Sequence, residues 1–146
     1  MILLENFDPI LVGTIPLSID IEESDLDIVC HSPDFDCFTA ILKSSFAHYD
    51  GFTIKQKLLH NTESLICRFN IENKLVEIVG QSVPSELQVA YRHMLIEYEI
   101  LKHYGGDFKN SIIELKKSGM KTEPAFAKLL GLKGDPYQAL LDYKLR

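Results

Sequence analysis

The sequence predicts an α+β fold: a small mixed sheet followed by a C-terminal helical portion, in a single domain over residues 1–146. Three observations carry that reading. Up to residue 80, short runs that alternate polar and apolar side chains are separated by turn residues, as in half-buried strands. From 81 to 146, apolar residues recur three and four apart between glycine stops, as in amphipathic helices. The 146 residues are 46% hydrophobic with only 8 Gly and 6 Pro, which excludes a disordered, linker or collagen-like chain. A chain of this length buries roughly 68–70% of its unfolded surface, enough for one core and hardly two.

Pro9-Ile10-Leu11-Val12 is an apolar run ended by Gly13, and Ser24 to Cys30 alternates. Ser32-Pro33 has the form of a helix start with Pro at the first helical position. It leads into Phe38, Ile41, Leu42 and Phe46, spaced for one helix face, and Gly51 closes that region. Strands are predicted over 52–60, 63–71 and 74–79, joined by the turns His60-Asn61 and Glu72-Asn73. Ser85 and Gln88 make a capping-box pattern for a helix facing the core with Leu87, Ala90, Tyr91, Met94, Tyr98 and Leu101. Gly105-Gly106 stops it, and a second helix runs over 107–118 to Gly119. Thr122 is placed to cap a third, which ends at Gly131, and Asp135-Pro136 opens a short last one.

The formal net charge of −6 is uneven along the chain. Nine acids, from Glu5 to Asp36, precede the first basic residue, Lys43; the remainder holds 12 acids and 15 basic residues, so −6 is the sum of −9 and +3. No basic stripe is visible, so duplex nucleic acid is not an expected partner. No stretch approaches the ~20 apolar residues of a membrane helix. The opening Met1-Ile2-Leu3-Leu4-Glu5 lacks the basic flank and cleavage site of a signal peptide. The expectation is a soluble, cytoplasmic protein without a membrane partner. Cys30, Cys37 and Cys67 match no paired zinc spacing and read as reduced thiols.

The segment Gly13-Thr14 through Ser24-Asp25-Leu26-Asp27-Ile28 carries the chemistry. On a strand, Asp25 and Asp27 project on one face while Leu26 and Ile28 enter the other. Two adjacent carboxylates repel each other unless a cation sits between them. Mg²⁺ suits such a pair, with water and substrate phosphates completing its octahedron. Gly13-Thr14 lies at a strand end, where bare backbone N–H groups approach a phosphate closely. Glu77 is the one charged residue in the apolar strand Leu75-Val76-Glu77-Ile78-Val79. A carboxylate in such a strand calls for a cation or a proton. Either it completes a triad with Asp25 and Asp27 able to hold two metals, or it points to solvent or pairs with Arg68 or Lys74.

These residues resemble the nucleotidyltransferase superfamily with the polymerase-beta-type palm: Gly-Ser/Thr at a strand end, Ser-Asp-x-Asp on the next strand, a later acid on a third. Within it, four segments look like an uncharacterised bacterial family of small nucleotidyltransferase-like proteins. They are Val12 to Pro16, Ser24 to Ile28, Gln88 to Met94 and Lys121 to Ala127. Members of that family carry a helix before the first strand, of which Met1 to Phe7 could supply only the end, so the chain reads as a shortened form. The resemblance implies a nucleotidyltransferase-like sheet and transfer of a nucleoside monophosphate from an NTP to an acceptor hydroxyl, with Mg²⁺ or Mn²⁺ as cofactor. Asp25, Asp27 and Glu77 would be the metal ligands and catalytic acids, with Gly13, Thr14 and Ser24 on the substrate side. Ile15-Pro16-Leu17-Ser18 stands where superfamily transferases often have small residues and an Arg. That departure leaves open a non-catalytic nucleotide- or metal-binding module on the same fold.

Positive charge for a phosphate is offered by Arg92 and His93 in the first C-terminal helix, and by Lys121 ahead of Thr122-Glu123-Pro124. The bland alternatives are a surface Arg, a half-buried His and ordinary first-turn capping. The sequence leaves the acceptor and the oligomeric state open.

Overall fold

The computed structural model describes residues 2–145 of the chain. Its strands are β1 (Ile10–Val12), β2 (Leu26–His31), β3 (Asp50–Leu59), β4 (Thr62–Ile71) and β5 (Lys74–Gln81). They form one mixed sheet in the order β1-β2-β5-β4-β3. β1 runs antiparallel to β2, β2 parallel to β5, and β5, β4 and β3 follow as antiparallel neighbours. The two hairpin turns are those the sequence marks. His60 and Asn61 hold φ of 49° and 63°, and Glu72 and Asn73 hold 49° and 66°, the doubly left-handed geometry of a two-residue hairpin loop. Both hairpins are local. The parallel β2–β5 pair is not: it brings together residues about fifty positions apart, through helix α1 (Phe35–Phe46) and both hairpins.

The chain divides into two units. The sheet unit comprises Met1–Gly13 and Ser24–Tyr91, with Met1 outside the described residues. Ile2–Phe7 is a six-residue 3-10 segment. The core packs Phe38 and Leu42 of α1 against Ile28, Cys30, Cys67, Phe69 and Ile78 of the sheet. Each buried Leu, Ile or Phe among them contributes about 1.5–3 kcal/mol. Gly80 is required here, because the Phe38 ring lies where a Cβ on residue 80 would stand. The N-cap of α1 is Asp34, whose carboxylate accepts from the N–H groups of Asp36 and Cys37; Ser32-Pro33 precedes the helix and does not open it. A carboxylate at the cap matches the helix dipole better than the hydroxyl two residues earlier.

The Ser85–Gln88 pair does not form a capping box. Ser85–Leu87 is a single 3-10 turn, and helix α2 (Val89–Tyr104) starts after it. The Ser85 hydroxyl donates to the Asp8 carbonyl at 2.6 Å and the Gln88 amide to the Cys30 carbonyl at 2.8 Å. Both side chains serve backbone carbonyls far away in sequence, Gln88 also that of Val83 at 3.1 Å, instead of the helix end.

The helical unit comprises Thr14–Glu23 and Arg92–Arg146, with Arg146 outside the described residues. Besides most of α2 it holds α3 (Gly106–Lys117), α4 (Thr122–Leu130) and α5 (Pro136–Leu141). Leu17 and Ile19 of the connector pack with Ile100, Ile112, Phe126 and Leu140. The sequence groups that connector with the sheet. Gly131 ends α4 in the left-handed conformation at φ 69°, and Asp135 caps α5 through the Tyr137 N–H. Thr122 does not cap α4: the N-cap is Lys121, and the Thr122 hydroxyl instead accepts from the Lys116 ammonium at 2.9 Å. The buried positions of α2 are His93, Glu97 and Ile100, whereas Leu87 and Tyr98 of the expected face are 63% and 52% exposed. Among the described residues, no helix is long and apolar enough to cross a membrane.

Candidate active site

β2 and β5 position the acids of the sheet unit. Their register sets Asp27 opposite Glu77, with Leu26 and Ile28 opposite Val76 and Ile78. Alternation therefore sends Asp27 and Glu77 to one face while Ile28, Val76 and Ile78 enter the core. Asp25 stands two residues before Asp27, just ahead of the strand, and is half-buried. On the other side of β2, Val12 pairs with Asp27, so Gly13 begins where the carboxylate projects. Gly13 has φ 83°, and a Cβ built on it would stand 2.6 Å from Asp27 Oδ2. Only a residue without a side chain lets backbone and carboxylate approach this closely. Gly13 and Asp27 are thus one structural feature. The Ser24 carbonyl, just ahead of Asp25, accepts from Lys74 Nζ at 2.7 Å.

Glu77 already has a cation. Arg68, opposite it on β4, donates from Nε and Nη2 to Glu77 Oε2, each at 2.8 Å. Among the described residues, no group of three or more His, Cys, Asp and Glu side chains is gathered closely enough to hold a metal ion. Against Gly13 stands the Asp27 carboxylate, with Asp25 two residues before it, and one or two carboxylates are what Mg²⁺ takes from protein when substrate phosphates complete its shell. Glu77 would join them on exchanging Arg68 for the metal.

The remaining candidates belong to the helical unit. The Thr14 carbonyl closes the connector turn, accepting from the N–H groups of Leu17 and Ile19 at 3.2 Å each. Arg92 is exposed on α2, and Lys121 is exposed at the start of α4, whose N-terminus has no side-chain cap. His93 is buried, and its Nε2 bonds the Tyr137 carbonyl at 2.8 Å. One turn further along α2, Glu97 is 3% exposed. Burial above all, then the charge of Glu123 and a hydrogen bond with it, raise the Glu97 carboxyl well above its ordinary 4.5, against the opposing pull of Lys116.

A family model described as a domain of unknown function, DUF4269, matches residues 1–143. The chain belongs to the DUF4269 family. No curated protein is significantly similar to it. The DUF4269 chain is similar in fold to solved polymerase-beta-type nucleotidyltransferases. One is the Cid1 poly(U) polymerase with MgGTP bound, at 12% identity and a TM-score of 0.54, over 79% of this chain and 37% of that one. Another is the GLD-2/RNP-8 complex, at 14% and 0.52, over 84% and 47%. A third is the polymerase core of TRAMP, an RNA surveillance complex, at 12% and 0.53, over 94% and 42%. The DUF4269 chain spans less than half the length of each.

Two groups escaped the sequence reading of this DUF4269 chain. Lys55 and Lys57 share one face of β3, with Arg68, the partner already offered for Glu77, next to that face on β4; the signal for the lysines is the alternation Lys55-x-Lys57 within a strand. Glu97 and Lys116 are buried in the helical unit, although a helical wheel sorts charged residues to the outside.

Proposed function

We propose that the chain is a nucleotidyltransferase that moves a nucleoside monophosphate from an NTP to an acceptor hydroxyl, with Asp25, Asp27 and Glu77 as its reacting-centre acids. The observation that carries this reading is the single feature built from Gly13, Asp27 and Glu77 on a sheet of nucleotidyltransferase topology. Asp25 and Asp27 would hold Mg²⁺ or Mn²⁺, which supplies charge neutralisation at the transferring phosphate. Gly13 and Thr14 offer backbone to the phosphates, and Ser24 fixes the start of the acidic strand. The acceptor oxygen forms a bond to the α-phosphorus, the bond from that phosphorus to the bridging oxygen breaks, and pyrophosphate leaves. Glu77, once released by Arg68, accepts the hydroxyl proton. Arg92 and Lys121 are two of the exposed cations of the helical unit, and each is a candidate for binding phosphate. His93 has the weaker claim, because its ring is buried and bonded to the Tyr137 carbonyl.

The test pairs binding with turnover. Wild-type protein is expected to gain thermal stability with Mg²⁺ or Mn²⁺ plus an NTP, and to release pyrophosphate when an acceptor is present. Asp25→Asn with Asp27→Asn should lose both responses. Retention of nucleotide transfer by that double variant would overturn the reading. A second reading, a nucleotide- or metal-binding module without turnover, is favoured by the hold of Arg68 on Glu77. It predicts stabilisation without pyrophosphate release across all acceptors.

A further inference from the structure

On the sheet, Thr53 pairs with Arg68, Lys55 with Ile66 and Lys57 with Ser64. By alternation these residues share the face that carries Glu77 and Asp27 one and two strands further on. Thr53, Lys55, Lys57, Ile66 and Arg68 line a pocket of about 120 Å³. Phe52 and Ile54 face the opposite way and pack on the core, so the pocket presents cations and no stacking ring. From Thr53 to Gln81, the strand residues on this face include a single acid, Glu77.

Strand order gives this pocket a position in the reaction. Across the face stand Gly13 beside β2, then Asp27 on β2, Glu77 on β5, Arg68 on β4 and Lys55 on β3. Neighbouring strands lie about 4.8 Å apart, so Lys55 is on a strand roughly 14 Å from that of Asp27. An in-line displacement keeps the attacking and leaving oxygens on opposite sides of phosphorus. With the NTP phosphates at Gly13 and the proton acceptor at Glu77, the acceptor molecule extends from Glu77 over β4 and β3. We infer that Lys55, Lys57 and Arg68 bind the acceptor, and that the acceptor bears phosphate groups beyond its reacting hydroxyl. This rests on the assignment of Asp25, Asp27 and Glu77 to the reacting centre.

Charge favours this occupant. A chain of net charge −6 repels anions as a whole, so it draws them only where cations cluster; Lys55 and Lys57 face Ile66 and Ser64 on β4, while Arg68 is paired with Glu77. The competing account is that β3 is an edge strand and its lysines merely discourage strand pairing. Edge protection demands neither Arg68 on the inner neighbour β4 nor any ligand.

The phosphates could belong to an oligonucleotide or to a small phosphorylated metabolite, and two probes separate these sources. A fluorescent single-stranded 12-mer RNA is titrated by anisotropy, and glycerol 3-phosphate by NMR shifts of the full chain, both without metal or NTP. If the RNA is the ligand, its binding should weaken with salt at a log–log slope of about −2, three single-strand phosphates being neutralised. K55E/K57E should weaken the responding probe at least about tenfold, and for RNA reduce the slope by roughly 1.4. K55Q/K57Q should show the same direction in a chain without added acids. Both lysine positions are exposed, and a thermal melt confirms that the variants fold. A response from either probe that the lysine variants abolish supports the proposal and names the source. Binding of both probes by K55E/K57E as by wild type, or of neither by wild type, overturns it. The Mg²⁺–NTP response should survive in the lysine variants and vanish in the Asp25/Asp27 variant. Failure of the acceptor pocket is therefore distinguishable from failure of the reacting centre.

Discussion

Two carboxylate pairs, one in each unit, have opposite fates. Asp27 and Glu77 sit side by side on a sheet face, half-buried, with the half-exposed Arg68 on the outer flank of Glu77. Glu97 and Glu123 meet among the helices, where Glu97 is almost fully enclosed and its Oε1 has no hydrogen-bond partner among the described residues. Burial decides between them. An enclosed pair cannot keep two charges and resolves the conflict with a proton. The open pair has a cation beside it, Arg68 against Glu77. The sheet pair is therefore suited to binding a cation, and the helical pair to holding part of the fold together, although each consists of two acids brought together from distant parts of the sequence.

The sharpest way to break the sheet pair is at Gly13. Gly13→Ala puts a side chain into a left-handed conformation, costing about 1–2 kcal/mol, and drives a Cβ against Asp27 Oδ2. The variant should unfold at lower urea, by at least that energy, and lose the Mg²⁺–NTP thermal shift. Wild-type values for both would mean that Gly13 and Asp27 are not one feature.

Much of this pair was legible in the sequence, and the reason is locality. Gly13, Asp25 and Asp27 lie within fifteen residues, and both hairpins turn on neighbouring residues with a known φ demand. The partner strand of Asp27 was not legible, because parallel pairing across some fifty residues leaves no local trace. The pairing of Glu77 with Arg68 could be named as an option, not chosen, until β4 was set beside β5. On α2 the periodicity misled. Counting apolar residues assigns Leu87 and Tyr98 inward, yet the enclosed positions are His93 and Glu97, each held by hydrogen bonds to groups distant in sequence. A polar residue that finds a buried partner is invisible to hydrophobic spacing. The Ser85–Gln88 pattern failed for the same reason, its side chains being committed to Asp8 and Cys30.

The helical pair is tested by pH. With the Glu97 carboxyl raised in the folded protein, the folded state keeps a proton that the unfolded chain releases above its ordinary 4.5. Stability from this group is thus complete below that value and is lost as pH rises toward the raised folded value. Glu97→Gln imitates the protonated form. Its urea midpoint should stand above that of wild type at neutral pH, and the downward slope with rising pH should flatten. Identical slopes in the two proteins would show that Glu97 shares no proton with Glu123.

The smallest stability effect belongs to Arg68, and it bears most directly on how an open pair behaves. Its ion pair with Glu77 is half-exposed on the Arg side, so Arg68→Ala should change unfolding free energy by less than about 1 kcal/mol. The metal response should move far more than the stability. If Asp25 and Asp27 hold the cation as proposed, Glu77 freed from the guanidinium can turn to it, and half-maximal thermal stabilisation should then need less Mg²⁺ than in wild type. An unchanged Mg²⁺ midpoint would confine the metal to Asp25 and Asp27 and leave Glu77 the role of proton acceptor. Arg68→Lys should fall between, since an ammonium keeps the charge but loses the paired N–H contacts to Oε2.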